Sequence, residues 1–159
     1  MAFALCELTV SSTAFEQLGS IPNRHTGEAE NLSPYLSWAN IPEGCKSFAV
    51  VCHDPDAPRV SADGSYGFVH WVLYNIPSTI RQLEENNKLY TSGHNDFGRL
   101  GYGGPMPPKG HGIHLYYFLV LALNKELDLP EGLTMRELLS KVEPNLIGMN
   151  RLVGKYQRD

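Results

Sequence analysis

Four runs of apolar, β-branched and aromatic residues punctuate the chain: FALCELTV (3–10), SFAVVCHD (47–54), FVHWVLYN (68–75) and HLYYFLVLALN (114–124). Gly, Pro and Asn clusters separate them, so each run reads as a strand, and the last two as central strands of a sheet. Most of the 15 glycines and 11 prolines fall between the runs, which suits long, shaped loops on a β scaffold.

Near the C-terminal end the period changes. In LTMRELLSKV (133–142) Thr134 and Glu137 have capping-box spacing and Leu138, Leu139 and Val142 fall on one side, which predicts a helix. A second short helix is expected beyond Pro144, over NLIGMNRLVGKY (145–156), with Leu146, Met149, Leu152 and Val153 facing the core. A further capping pattern, Thr79 with Gln82, predicts a helical turn after NIPS. The expected architecture is a single mainly β domain over residues 1–159, with C-terminal helices packed on one face of a sheet.

Composition narrows the function classes. With 159 residues, 42% of them hydrophobic, the chain can bury one substantial core without staples. A net charge of -4 and the lack of any Lys or Arg run argue against a nucleic-acid surface but leave room for a phosphate-bearing small ligand. MAFALCELTV has no basic start and carries Glu7 within its apolar stretch, so neither a signal peptide nor a transmembrane segment is expected. Cys6, Cys45 and Cys52 are an odd count without CxxC spacing, which predicts reduced thiols and a cytoplasmic protein.

Against this apolar pattern four polar residues stand out. Period-two alternation puts His70 on the side of Phe68, Val72 and Tyr74, and His114 on the side of Tyr116, Phe118 and Val120. Either histidine alone reads as a satisfied core or edge residue. HDPDAP (53–58) adds Asp54 and Asp56 on either side of a proline that keeps Asp54 extended, so both carboxylates can look into one hollow. An Asp-Pro turn that spends its carboxylates on loop amides accounts for that motif in isolation. Together, at the ends of strands and with a Gly/Pro loop leading into His114, the four point to a pocket at one end of the sheet, with the histidines on neighbouring strands.

The stretches NLSPYLSW (31–38), DPDAP (54–58), FVHW (68–71), NDFG (95–98) and GYGGPMPPKGHGIH (101–114), in that order, resemble the phosphatidylethanolamine-binding proteins, also called Raf kinase inhibitor proteins, in particular their bacterial and archaeal branch. The resemblance implies a central antiparallel sheet, a second smaller sheet, peripheral helices and an anion pocket. It places Asp54, Asp56, His70, Pro107, Pro108, Gly110, His114 and Tyr116 at that pocket, with phosphate, phosphorylethanolamine head groups, nucleotides or acetate-like anions as ligands. It makes Ala57-Pro58 a candidate cis peptide. It implies a kinase or protease as protein partner and a homodimer; no metal or cofactor is expected.

Two positions depart from the family pattern: Leu115 replaces the arginine that usually follows the strand histidine, and Met106 a cysteine common before the double proline in bacterial members. Residue 115 faces away from 114 and 116, so the pocket floor is expected to survive. In the loop, Gly101, Gly103 and Gly104 are expected to give positive φ and close backbone approach, while Pro105, Pro107 and Pro108 stiffen it.

An anion beside two aspartates is repelled unless the carboxylates face imidazole N–H groups. His70 and His114 are therefore expected as donors, oriented and kept protonated by Asp54 and Asp56, which can also accept from a ligand ammonium. The leading function is a small-anion or phospho-ligand binding protein coupled to regulation of a kinase or protease. The alternatives are a protease or kinase inhibitor acting through its loops with a vestigial pocket, and a hydrolase using the Asp/His cluster, against which stand the lack of GxSxG and of zinc-type histidine spacing.

Overall fold

A computed structural model of the chain describes residues 3, 4 and 6–159. Its centre is β3 (Ser47–Asp54), whose side chains are buried on both faces apart from the half-buried His53. That explains the unbroken apolar run: a strand covered on both sides has no solvent face to alternate towards. β3 pairs antiparallel with β4 (Phe68–Pro77) and with β7 (His114–Leu123). β6 (Thr91–Ser92) and β8 (Leu146–Tyr156) flank these, giving the order β6-β4-β3-β7-β8.

One face of this sheet is covered by a smaller antiparallel sheet of β1 (Thr9–Ser11), β2 (Leu36–Ala39) and β5 (Gln82–Leu83), in the order β1-β2-β5. Leu36, Trp38 and Leu83 pack there against Phe48, Val50, Cys52, Trp71, Phe118 and Val120. The opposite face receives α1 (Met135–Val142), whose Leu138 and Val142 meet Val51, Val72, Tyr74 and Leu121. The Thr134 capping box forms as the spacing predicts, with Thr134 accepting from the Glu137 N–H and Glu137 accepting from the Thr134 N–H. The mainly β fold, the two antiparallel sheets and this one helix agree with expectation.

Three local expectations are corrected. Residues 146–156 are a strand and not a second helix: β8 pairs with β7 from His114↔Tyr156 to Leu123↔Leu146, satisfying a main-chain edge that a helix would leave open. Gly148 and Gly154 lie so close to Cys6 and Ile21 that an added Cβ would stand 2.6 and 2.5 Å from their side chains, a close approach suited to strand backbone. Thr79 sits in a turn that leads into β5, with no helix. Of the expected strand 3–10 only Thr9 and Val10 are extended in a sheet; Leu5 lies outside the described residues, and the Leu8 carbonyl accepts from the Asn150 side chain at 2.6 Å instead of from a strand. No helix among the described residues is long and apolar enough to cross a membrane.

Candidate functional site

The C-terminal end of β3 and the N-terminal ends of β4 and β7 meet at one end of the sheet, because both pairings are antiparallel. A cavity of about 200 Å³ opens there, lined by Asp54, Phe68, His70, His114 and Tyr116 from the strands, by Ala57, Pro58 and Arg59, by Phe97, and by Met106, Pro107 and Pro108 from the loop before β7. Six of the eight residues expected at the pocket are on its wall. Asp56 and Gly110 are not. The expected adjacency of the histidine strands is also corrected: β3 lies between β4 and β7 and carries Asp54 into the gap.

His70 reaches the cavity through a β-bulge. Between the pairs His53↔Val69 and Cys52↔Trp71, β4 advances by two residues while β3 advances by one, so His70 is the extra residue. The bulge resets the alternation, and Val72 and Tyr74 join the core under α1 and not the side of His70. The ring packs at steep angles against Phe68, Phe97 and Tyr116, at centroid distances of 4.9, 5.6 and 5.2 Å. Its Nδ1–H donates to the Gly103 carbonyl at 2.6 Å, and the Gly103 N–H donates back to the His70 carbonyl at 2.9 Å. Burial holds its pKa at about 4, although the Gly103 carbonyl and Asp54 pull it upward. His70 is therefore neutral at pH 7 and offers Nε2 as an acceptor, which corrects the expectation of an imidazolium donor.

Asp54 organises the other side. Its Oδ1 accepts from the N–H groups of Asp56 at 2.8 Å and Ala57 at 3.2 Å, which closes the turn with Ala57-Pro58 in the trans form; there is no cis peptide bond among the described residues. Its Oδ2 accepts from His114 Nδ1 at 2.7 Å, and both side chains are almost fully buried. Asp56 instead turns outward and accepts from the Leu115 N–H at 2.8 Å, so the two carboxylates do not share one hollow. The second nitrogen of His114, Nε2, is 2.7 Å from Nδ1 of the exposed His111. His111 escaped the sequence reading, although the HGIH spacing places it three residues before His114.

Tyr116 is fully buried, and its hydroxyl has no hydrogen-bond partner among the described residues. Burial and the nearby Asp54 carboxylate raise its pKa, so it stays protonated. At the mouth stands Arg59, a residue the sequence reading missed, paired with Asp96 at 2.7 Å and lying over the Phe68 ring. NDFG (95–98) supplies Asp96 for that pair and Phe97 for the wall, and its buried Asn95 accepts from the N–H groups of Phe97 and Arg99 and donates to the Gly101 carbonyl.

The loop before β7 is tied at several points. The Gly104 N–H donates to Asn31 at 2.7 Å, the Gly27 N–H to Pro105 at 2.9 Å, and Arg158 to Pro107 at 3.2 Å. Of its first glycines only Gly101 has positive φ; Gly103 and Gly104 are needed for close approach, since a Cβ on Gly103 would stand 2.5 Å from the Phe97 ring. Gly110 has φ of 72° and its N–H donates to the Arg158 carbonyl, so it shapes the loop without touching the cavity. Among the described residues no group of three or more His, Cys, Asp or Glu side chains is arranged to hold a metal ion.

The family described as "Phosphatidylethanolamine-binding protein" matches residues 11–157. The UPF0098 protein of Aquifex aeolicus is 40% identical over 159 residues, covering 96% of this chain and 90% of its own length. Among solved structures, YbcL of Escherichia coli superposes with a TM-score of 0.88 at 33% identity, covering 96% of this chain and 99% of that one. The Chlamydia trachomatis homologue CT736 does so with a TM-score of 0.87 at 31% identity, covering 96% and 98%.

Proposed function

The chain belongs to the phosphatidylethanolamine-binding protein family, and from that premise we propose that it binds a small anionic ligand, a phosphate, phosphorylethanolamine or similar phosphorylated or carboxylated head group, in the cavity at the end of the sheet. The observation that carries this reading is the hydroxyl of Tyr116, a cavity-lining residue: a buried donor without a partner among the described residues. A buried polar group of that kind costs about 1–3 kcal/mol until something bonds it, and a ligand oxygen is the fitting partner.

The other groups select the ligand. Arg59 supplies a cation at the mouth. His70, neutral with Nε2 as acceptor, can take a hydrogen from a ligand hydroxyl or ammonium, and the Asp54 carboxylate can accept from an ammonium. Monoanionic phosphate and zwitterionic phosphorylethanolamine fit this set. A cavity of about 200 Å³ is smaller than typical drug-sized sites and favours head groups over whole nucleotides. Phe68, Phe97 and Met106 offer an apolar collar to a carbon substituent.

Isothermal calorimetry with phosphate and with phosphorylethanolamine at pH 6.5 tests the reading. Saturable binding of either to a single site is expected; the absence of binding by both contradicts it.

A further inference from the structure

His114 is buried and has no free nitrogen. Asp54 accepts from its Nδ1, so in the neutral ring Nε2 is a lone-pair acceptor and His111 is the donor through Nδ1–H. The two polar contacts differ in kind. Asp54 is buried and locked by two main-chain amides. His111 is exposed and stands between Gly110 and Gly112, which have φ of 72° and 93° and no neighbouring atom within 4 Å of an added Cβ. Its N–H donates to the carbonyl of Pro108, a cavity-lining residue, at 3.1 Å, which holds it beside the cavity wall without making it part of that wall. A buried, cavity-lining histidine thus has its second ring nitrogen bonded by a surface residue on an open, glycine-flanked stretch, a contact that can be exchanged without unpacking the core.

We propose that His111 is an internal ligand of His114, displaced when an anion with phosphate-, sulfate- or carboxylate-type oxygens enters the cavity. The inference rests on the anion-binding reading and deepens it. The exchange balances with one proton taken from solvent. That proton arrives on Nε2 of His111 while its Nδ1–H passes to Nε2 of His114; His111 swings away neutral, and His114 remains as an imidazolium between the Asp54 carboxylate and the anion. The charged and titratable groups around this pair are Asp54 from β3, Asp56 on the Leu115 amide, Tyr116 on β7, His70 across the cavity on β4, Tyr156 opposite His114 on β8, Arg158 beside the loop, and Glu28, which accepts from Tyr156 and Arg158 and lies near Lys109. The neutral His70 and the protonated tyrosines add no charge at neutral pH, so His114 is the group on the cavity wall that gains charge when the anion enters.

Calorimetry with sulfate, whose charge does not change near neutrality, tests the exchange in the parent protein and in His111→Ala. Loss of the competing contact is expected to tighten sulfate binding about three- to tenfold. The parent is expected to take up about one proton per sulfate at pH 7.5, read as a difference in heat between buffers of high and low ionisation enthalpy. A His111→Ala protein that binds sulfate no more tightly than a sulfate-binding parent overturns the inference and leaves the anion site standing, as does binding without proton uptake. If neither protein binds sulfate or phosphate, the anion-binding reading itself fails, and this inference with it.

Discussion

Two hollows of nearly equal size lie on opposite faces of the same end of the central sheet. One is the cavity of about 200 Å³ around Asp54, His70, His114 and Tyr116; the other, of about 220 Å³, is lined on the α1 side by His53, His94, Asp63, Asp96, Arg136 and Ser61, with Arg59 bordering both. Both hold two histidines and at least one aspartate. Their hydrogen bonding differs. In the second hollow His53 bonds the Tyr66 carbonyl, His94 the Gly132 carbonyl, and Asp63 accepts from Ser61, Ser65 and Arg136, which holds its carboxyl well below the usual range in an exposed setting. Its charges are paired and wet, so a ligand there must compete with contacts already made. In the cavity the groups are dry, His70 is kept neutral, and the Tyr116 hydroxyl is left over. Two histidines beside an aspartate, found in each hollow, do not distinguish a binding site from a hydrated surface; burial with an unspent hydrogen bond does.

The largest expected contrast is in stability. Asp54→Ala leaves the buried His114 N–H and two amides without their acceptor, and urea denaturation is expected to show a loss of about 3–5 kcal/mol. Asp63→Ala, on the hydrated side, is expected to unfold at nearly the parent midpoint. Equal losses would erase the distinction between the hollows.

Next in size is a pH effect. His70 has a pKa of about 4 in the folded chain against an ordinary value near 6.5, so between these values the unfolded chain binds more protons. Its stabilising contribution is complete above pH 6.5 and is lost as pH falls from there through about 4, a loss of about 3 kcal/mol. Unfolding free energies of the parent and His70→Asn, compared from pH 7 to pH 4, are expected to converge by that order. Parallel curves would mean that His70 is not held neutral.

A smaller effect tests the leftover hydroxyl. Tyr116→Phe is expected to weaken phosphate binding about tenfold while leaving the ligand-free unfolding midpoint unchanged or raised, because the hydroxyl has no partner to lose. Ser61→Ala in the other hollow is expected to leave phosphate affinity as it was. Calorimetry and urea denaturation on both variants measure this. The smallest effect belongs to Leu115→Arg, whose side chain points away from His114 and Tyr116; phosphate affinity is expected to change by less than about twofold.

Sequence reading succeeded where the pattern is local or continuous. β3, β4 and β7 follow their apolar runs, and α1 follows its capping box, because those signals act within a few residues. β8 was illegible: Leu146, Met149, Leu152 and Val153 fit helical spacing, and only pairing with β7 makes them a strand. The location of the cavity could be read from Asp54, His70, His114 and Tyr116, but the state of its groups could not. The bulge that aims His70 depends on register against β3, the neutrality of His70 depends on rings from Phe68, Phe97 and Tyr116, and the outward turn of Asp56 depends on an amide of β7. Arg59 and His111 acquire their roles from contacts with Asp96 and His114 that short sequence motifs do not encode.

The most direct test of the central claim is a phosphate titration at pH 7 followed through the ring signals of the histidines by nuclear magnetic resonance. The account predicts that His70 and His114 move together along one saturation curve while His53 and His94 stay in place. Movement of His53 and His94 with His70 and His114 unaffected would put the anion in the wrong hollow and contradict the account.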